Sequence, residues 1–364
     1  MNIGTITDYL ETIAPISYQE SYDNSGLLIG EKRNEATGAL FTLDVTEAVV
    51  DEAIALGYNL IIAHHPLIFK PLKRINESNE VGRCLIKAVK NDIAIYAAHT
   101  NLDNAPDGVN AMICKKLGMV QTKILEPAGD LLNKIIVFVP TNHAENVRNE
   151  LFKAGAGRLG EYSSCSFNAA GQGTFKAGSN AKPYVGEPGE LHFEEETRIE
   201  VLCENHNLNR VLKAMIQAHP YEEVAYDVYP LSNKNQYVGA GMIGELPESM
   251  DEMSFLHKVK NTFGPGCLKY SPLTNKKVKK VAVCGGSGNF LISNALAAGA
   301  DAFITGEIKY HDYFMAENNI LLIEAGHYET EQFTKDLLYL IVKENFTTFA
   351  TRISTIRTNP INYL

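Results

Sequence analysis

The two ends of the chain share one grammar, and this restricts the fold more than any other feature. Near the N-terminus, short runs with almost no polar position alternate with segments whose apolar residues recur at helical spacing. They read GALFTLDV (38–45), TEAVVDEAIALG (46–57), NLIIAHHP (59–66), a helix over 80–91, DIAIYAAHTNLD (92–103) and the helical DGVNAMICKKLGM. A strand that lacks polar alternation needs cover on both faces, which points to parallel sheet with helices packed on it. The pattern returns as KKVAVCGGSGNF (279–290), LISNALAAGA, DAFITGEI (301–308), NILLIEAG (319–326) and one long helix beginning HYETEQFTKDLL. Between these ends the order changes to strand (134–140), helix (143–155), a Gly-rich hairpin, strand (197–204), helix (208–219) and strand (224–231). That β-α-β-β-α-β order is ferredoxin-like. The expected fold is therefore α/β, a split α/β core of two similar halves with an inserted α+β domain. The expected boundaries are 1–125 and 237–364 for the core and 126–236 for the insert. A length of 364 residues allows two or three domains.

In a parallel sheet, ligands gather beyond the carboxyl ends of the strands. Polar residues at those positions are His64 and His65, His99 and Asp103, Glu307 and His311, and His327 with Glu331. Five of the ten histidines sit there. A single histidine at a strand end is more often a hydrogen-bonded loop residue than a ligand. Five at the ends of buried strands, with carboxylates beside them, are the ingredients of a divalent-metal site. On a helix, His327 and Glu331 lie four apart on one face and reach one centre. His64 and His65 would point to opposite faces in a regular strand, but Pro66 marks where the chain leaves the ladder. Two diverging imidazoles could then serve two metals, with Asp103 able to bridge. One catalytic zinc takes three protein ligands, so this many donors suit a two-metal centre better. His99 reads as a ligand, a supporting residue behind the ligands, or a plain loop residue, and His311 as a second supporting candidate. His143, His192, His206, His219 and His257 read as structural.

Other signals are weaker. CGGSG (284–288) follows a strand and opens a helix, so Gly286 and Gly288 are candidates for a phosphate-cradling turn, with a structural turn equally compatible. YDNSGLLIG (22–30) reads as a turn entering a strand, with Asp23 and Asn24 free to cap or contact a ligand. The formal net charge is −10 and the only basic run is KKVKK (276–280), so nucleic acid is a disfavoured partner. The six cysteines are scattered without a CxxC pair, and no apolar run suits a membrane span or a secretory signal. The expectation is a cytoplasmic protein with reduced thiols.

YDNSGLLIG, IIAHHPLIF, AAHTNLD, GADAFITGEIKYHD and GHYETE, in that order, resemble the Nif-three-like dinuclear metal centre proteins, also called GTP cyclohydrolase I type 2 homologues. The insert, at HPYE, resembles the PII- or CutA-like domain of the long bacterial members. The resemblance implies two divalent ions per chain on His64, His65, Asp103, His327 and Glu331, with zinc foremost and iron, manganese or cobalt as alternatives. It also implies a homohexamer with the metal sites facing an internal cavity. Tyr22 stands where the family usually has Trp, so an indole N–H is missing. The expected function is a metal-dependent hydrolase acting on a nucleotide-like substrate, in the manner of a cyclohydrolase. A phosphoesterase and a metal-binding regulatory protein whose insert senses a small ligand are the rival expectations.

Overall fold

The computed structural model describes residues 1–364. It divides into two compact units, Met1–Pro127 with Gln236–Leu364, and Ala128–Asn235.

The first unit begins with helix α1 (Ile3–Ile13), capped by the Asn2 side chain. Strands β1 (Gly26–Ile29), β2 (Ala39–Thr42), β3 (Leu60–Ala63) and β4 (Ala94–Ala97) follow. Helix α2 (Glu47–Leu56) starts at an N-cap Thr46 and stops at Gly57, which takes the left-handed conformation with φ of 68°. Helix α3 (Glu80–Lys90), the single-turn α4 (Thr100–Asp103), α5 (Val109–Leu117) and β5 (Val120–Ala128) complete this part.

The second unit contains β6 (Leu132–Pro140), α6 (Ala144–Lys153), β7 (Ser166–Lys176), β8 (Leu191–Glu204), α7 (Leu208–Ala218) and β9 (Tyr226–Pro230). The sheet order is β7-β8-β6-β9, with every pair antiparallel. This is the strand order of a ferredoxin-like sheet. Residues of β6 and β8 that face one way (Ile135, Val137, Ile199, Val201) pack with Val147, Leu151, Val211 and Met215 of the two helices. The strand read over 197–204 is the back half of a 14-residue strand whose front half closes the Gly-rich hairpin.

The chain then returns through β10 (Asn235–Asp251), α8 (Glu252–Phe263), β11 (Lys269–Tyr270), β12 (Lys277–Cys284), α9 (Ile292–Ala297), β13 (Ala302–Thr305), β14 (Leu321–Glu324), α10 (His327–Glu331), α11 (Thr334–Asn345) and β15 (Thr351–Ile353). Two sheets result, ordered β1-β4-β3-β2-β15 and β11-β14-β13-β12-β10-β5. In the first, β15, β2, β3 and β4 are parallel and β1 lies antiparallel beyond β4; in the second, β12, β13 and β14 are parallel and β11 lies antiparallel beyond β14. Each sheet also takes a strand from the other end of the chain: β15 joins the first and β5 the second. Period-two alternation sorts the side chains. Leu60 and Ile62, with Ala302 and Ile304, face a shared layer of α1, α5, α8 and α11. Ile61 and Ala63 face α2 and α3, and Phe303 and Leu322 face α9.

The expected long helix after residue 327 is two helices. At the break, the Gln332 side chain donates to the carbonyl of Phe263 (2.8 Å), and Phe333 packs beside the Phe263 ring. All six cysteines are free thiols. No helix is long and apolar enough to cross a membrane.

Candidate metal centre

The carboxyl ends of β2, β3, β4, β13 and β14 converge. After Ala63 the chain leaves the ladder. The His64 and His65 rings lie on one side, with centroids 4.9 Å apart. The His99 ring stands 5.3 Å from that of His64, and the His327 ring 5.4 Å from that of His65. Asp103 enters from the single turn α4. Gly326, at φ of 94°, turns the chain from β14 into α10, which carries His327 and Glu331.

Each of the four imidazoles uses Nδ1 to donate to an acceptor behind it. His64 donates to the carbonyl of Ala98 (2.7 Å), His65 to Asp44 (2.7 Å), His99 to Asp23 (2.7 Å) and His327 to Glu307 (2.8 Å). In the neutral ring this sets the tautomer and leaves Nε2 as the lone-pair nitrogen, the arrangement metal-binding histidines use; while protonated, His65 and His327 also donate from Nε2 to Glu331. Asp23 is itself held by the backbone and hydroxyl of Thr100.

The Nε2 atoms then divide. His65 and His327 both reach Oε2 of Glu331, at 2.9 and 3.1 Å. His64 Nε2 lies 3.6 Å from Asp103 Oδ1 and 3.7 Å from Glu331 Oε1. Those spacings are too long for hydrogen bonds. His64 Nε2 and Asp103 Oδ1 are both buried with no hydrogen-bond partner. A buried unsatisfied group costs about 1–3 kcal/mol, so two facing each other need a reason. Two donors each ~2.1 Å from one tetrahedral ion stand about 3.4 Å apart, close to what is seen. The residues therefore fit a divalent cation. Side chains able to hold an ion form three groups: His65, His327 and Glu331; His64, Asp103 and Glu331; and His64, His65 and His99. Glu331 belongs to two groups, offering one oxygen to each. Asp103, for which the sequence suggested a bridging role, belongs to one.

Burial raises the Asp103 carboxyl well above its ordinary value, and the charge of Glu331 adds to this. Burial opposes ionisation of Glu331 too, but hydrogen bonds from His327 and His65, with His64 close by, hold it well below the usual range. Burial disfavours a charged His65, yet its bonds to Asp44 and Glu331 outweigh this and push it up to about 10. Against the same burial, Glu331 brings His327 to about 9. Burial lowers His64, whose ring is fully enclosed. Burial, then Asp103 and Glu331, push the nearby Cys284 thiol up, so the donor set is nitrogen and oxygen.

Two expectations are corrected. His311 does not support the centre: it is exposed, its ring lying against Tyr310 and Phe314. Gly286 and Gly288 do not form a phosphate cradle, because their N–H groups are already committed. Gly286 donates to the Thr330 hydroxyl (3.1 Å) and Gly288 to that of Thr305 (2.9 Å). Their lack of a side chain serves close packing: a Cβ on Gly286 would stand 2.2 Å from Glu331 Oε1. Asp23 and Asp44 are supports whose roles the sequence did not reveal, although Asp44 does end a strand.

A cavity of about 230 Å³ opens onto Asp103, His327 and Glu331. Its other walls include Tyr22, Phe69 and Phe290. Tyr22 is exposed and meets Phe69 edge-on.

The model of the family Duf34/NIF3 (NGG1p interacting factor 3) matches residues 1–360. The chain belongs to this family. A relative from Halalkalibacterium halodurans, named GTP cyclohydrolase 1 type 2 homolog, is 40% identical over 100% of this chain and 99% of its own. One from Bacillus subtilis with the same name is 41% identical over 90% of this chain and 88% of its own. The solved structure of a Bacillus cereus protein related to NIF3 superposes with a TM-score of 0.85 at 41% identity, covering 100% and 99% of the two chains. The Duf34/NIF3 assignment thus spans both core halves and the insert.

Proposed function

We propose that this Duf34/NIF3 member is a metal-dependent hydrolase with a dinuclear centre on His64, His65, Asp103, His327 and Glu331, acting on a nucleotide-like substrate. The observation that carries the reading is the pair of buried, unpartnered donors, His64 Nε2 and Asp103 Oδ1, beside three more imidazoles whose Nδ1 atoms are occupied. The printed name of the relatives supports the cyclohydrolase-like form. Divalent ions, zinc first, would supply Lewis acidity and a water activated near neutral pH. The chain's own contribution is orientation. Asp23 clamps His99 so that its Nε2 is the ring nitrogen available to hold or pass a proton. Tyr22, Phe69 and Phe290 offer aromatic surface to a planar base at the cavity wall. The test is elemental analysis of protein purified without added metal, with turnover assays on nucleotides and phosphoesters. Metal below one ion per two chains, or turnover no higher than that of the His64→Ala and Asp103→Ala variants, overturns the reading. A phosphoesterase keeps the same metals but loses the Gly-turn support. Self-association as a homohexamer belongs to this proposal and is read by light scattering.

One observation favours a second, regulatory reading. The insert holds its own cavity of about 780 Å³, walled by Phe138, Phe175, Tyr184 and Tyr221 with Glu196 and Arg198. Metal content without turnover, together with a small molecule that stabilises the insert, would favour that reading.

A further inference from the structure

The segment after β15 touches supports of the centre from both core halves. Its start is well anchored. Ser354 N–H donates to the carbonyl of Phe41 (2.8 Å), and Ser354 and Thr355 hydroxyls donate to Glu52 at 2.5 and 2.8 Å. Ile356 packs on the α2/α3 face of the first sheet. Next, the Thr358 hydroxyl donates to Asp44 Oδ2 at 2.5 Å, while Asp44 Oδ1 accepts from His65. One residue on, the Asn359 side chain donates to Glu329 Oε1 at 3.0 Å. Glu329 is buried on α10, midway between His327 and Glu331. The Arg357 guanidinium lies over the Tyr328 ring of the same helix, 5.8 Å from its centroid. Beyond these contacts, the Tyr363 hydroxyl also reaches Glu329 (3.5 Å), and its ring lies so close over Gly266 that a Cβ there would clash.

We infer that residues 354–363 are a strap that positions the metal centre, with Thr358 and Asn359 as its positioning residues. This rests on the metal-centre reading above. Thr358 holds Asp44 square to His65, a donor from the first half. Asn359 holds the helix that carries His327 and Glu331, donors from the second half. Two adjacent residues thus tie together donors far apart in sequence. Asp44 has two oxygens and two partners; without the Thr358 hydroxyl its carboxylate can rotate, and the His65 ring can rotate with it. Without Asn359, Oε1 of buried Glu329 loses its 3.0 Å donor, leaving α10 the longer contacts of Tyr363 with Glu329 and of Arg357 with Tyr328. Neither residue touches the donor atoms, so both act through others.

The experiment uses the full chain and zinc(II). Zinc affinity and zinc loss to a chelator are compared for wild type, Thr358→Ala, Asn359→Ala, the double variant and Thr358→Ser. Outer partners of ligands are worth 10–100-fold in affinity, and the strap is one bond further out, so the double variant should lose about tenfold. Thr358→Ser keeps the hydroxyl and should stay within about twofold of wild type by the same scale. The metal-free melting temperature separates a positioning effect from a folding one. By reciprocity, zinc should slow amide exchange over 354–363 and leave α6 of the insert unchanged. Wild type that binds zinc while the double variant binds it equally well overturns the strap alone. Equal exchange over 354–363 with and without zinc does the same. Wild type that binds no zinc overturns the metal-centre reading itself.

Discussion

The core and the insert are both sheets covered by helices, yet they place polar residues differently. In the core, the parallel strands of each sheet, four in the first and three in the second, run the same way, so their carboxyl ends lie together. Residues just past those ends meet: His64, His65, His99, Asp103, His327 and Glu331. In the insert, neighbouring strands run in opposite directions, so the ends of successive strands separate to the two edges. All three metal-competent groups lie in the core. The insert has the larger cavity instead, with aromatic walls. Its best-placed histidine, His219, is satisfied: Nε2 meets the Phe138 carbonyl (2.9 Å) and Nδ1 accepts from Tyr221 N–H (3.1 Å). Parallel topology collects donors, and antiparallel topology disperses them.

The sharpest way to break this comparison is to remove a core donor. Asp103→Ala or His64→Ala should weaken metal binding by more than about 100-fold, above the range for outer partners. Competition against a chelating dye reads this, and the insert's melting should not move. An unchanged metal content in either variant would show that donors at the strand ends are not a site.

Glycine substitutions offer a matched pair. At Gly286, φ is 61° and a Cβ would meet Glu331. Gly286→Ala should cost about 1–3 kcal/mol from overpacking and strain, and metal with it. At Gly171, on β7 of the insert, a Cβ meets nothing within 4 Å. Gly171→Ala should stay within about 0.5 kcal/mol of wild type. Denaturant melts of both variants check the contrast.

The two regions should also answer pH in opposite directions. His65 and His327 are raised to about 10 and 9, above the unfolded value near 6.5. Their stabilisation of the metal-free core is therefore complete below pH ~6.5 and disappears as pH rises through 9 to 10. Zinc must displace those protons, so its affinity rises with pH, roughly tenfold per proton per unit. Calorimetry in buffers of different ionisation enthalpy counts the protons released. Burial lowers His219 despite the Phe138 carbonyl. Its stabilisation of the insert is present above pH ~6.5 and is lost as pH falls through the lowered value. Melts of the full chain from pH 5 to 10 show whether the two trends oppose.

The smallest expected effect is a null one. β5 and β10 are neighbours in the second sheet, so the two chain ends that bound the insert start side by side. Deleting residues 130–235 with a short linker should leave metal per chain unchanged. A deletion variant that folds but holds no metal would make the insert part of the site.

Much of this was legible in the chain. Apolar runs marked β2, β3, β4, β13 and β14, and the residues following them are those that converge. The segment read as helical over 46–57 is α2 with its two caps, Thr46 and Gly57. Other readings failed where a local pattern has two physical uses. CGGSG suits a phosphate turn and a close-packed turn alike, and the hydroxyls of Thr330 and Thr305, distant in sequence, decide between them. His311 follows a buried strand as His64 does, but it lies on an exposed 3-10 segment. Asp23 was marked only as free to cap or contact a ligand, and Thr358 not at all, since each acts through a side chain far away in sequence.

Hydrophobic period and strand-end chemistry are properties of short windows, so the sequence by itself determined the elements, the repeated plan of the two core halves and the donors available. Which donors share an ion-sized space is a property of how two sheets meet across a helical layer. His65 and Glu331 are 266 residues apart and lie within a hydrogen bond of each other. No window contains both, so only the tertiary structure decided that Glu331 joins two of the three donor groups, and Asp103 one.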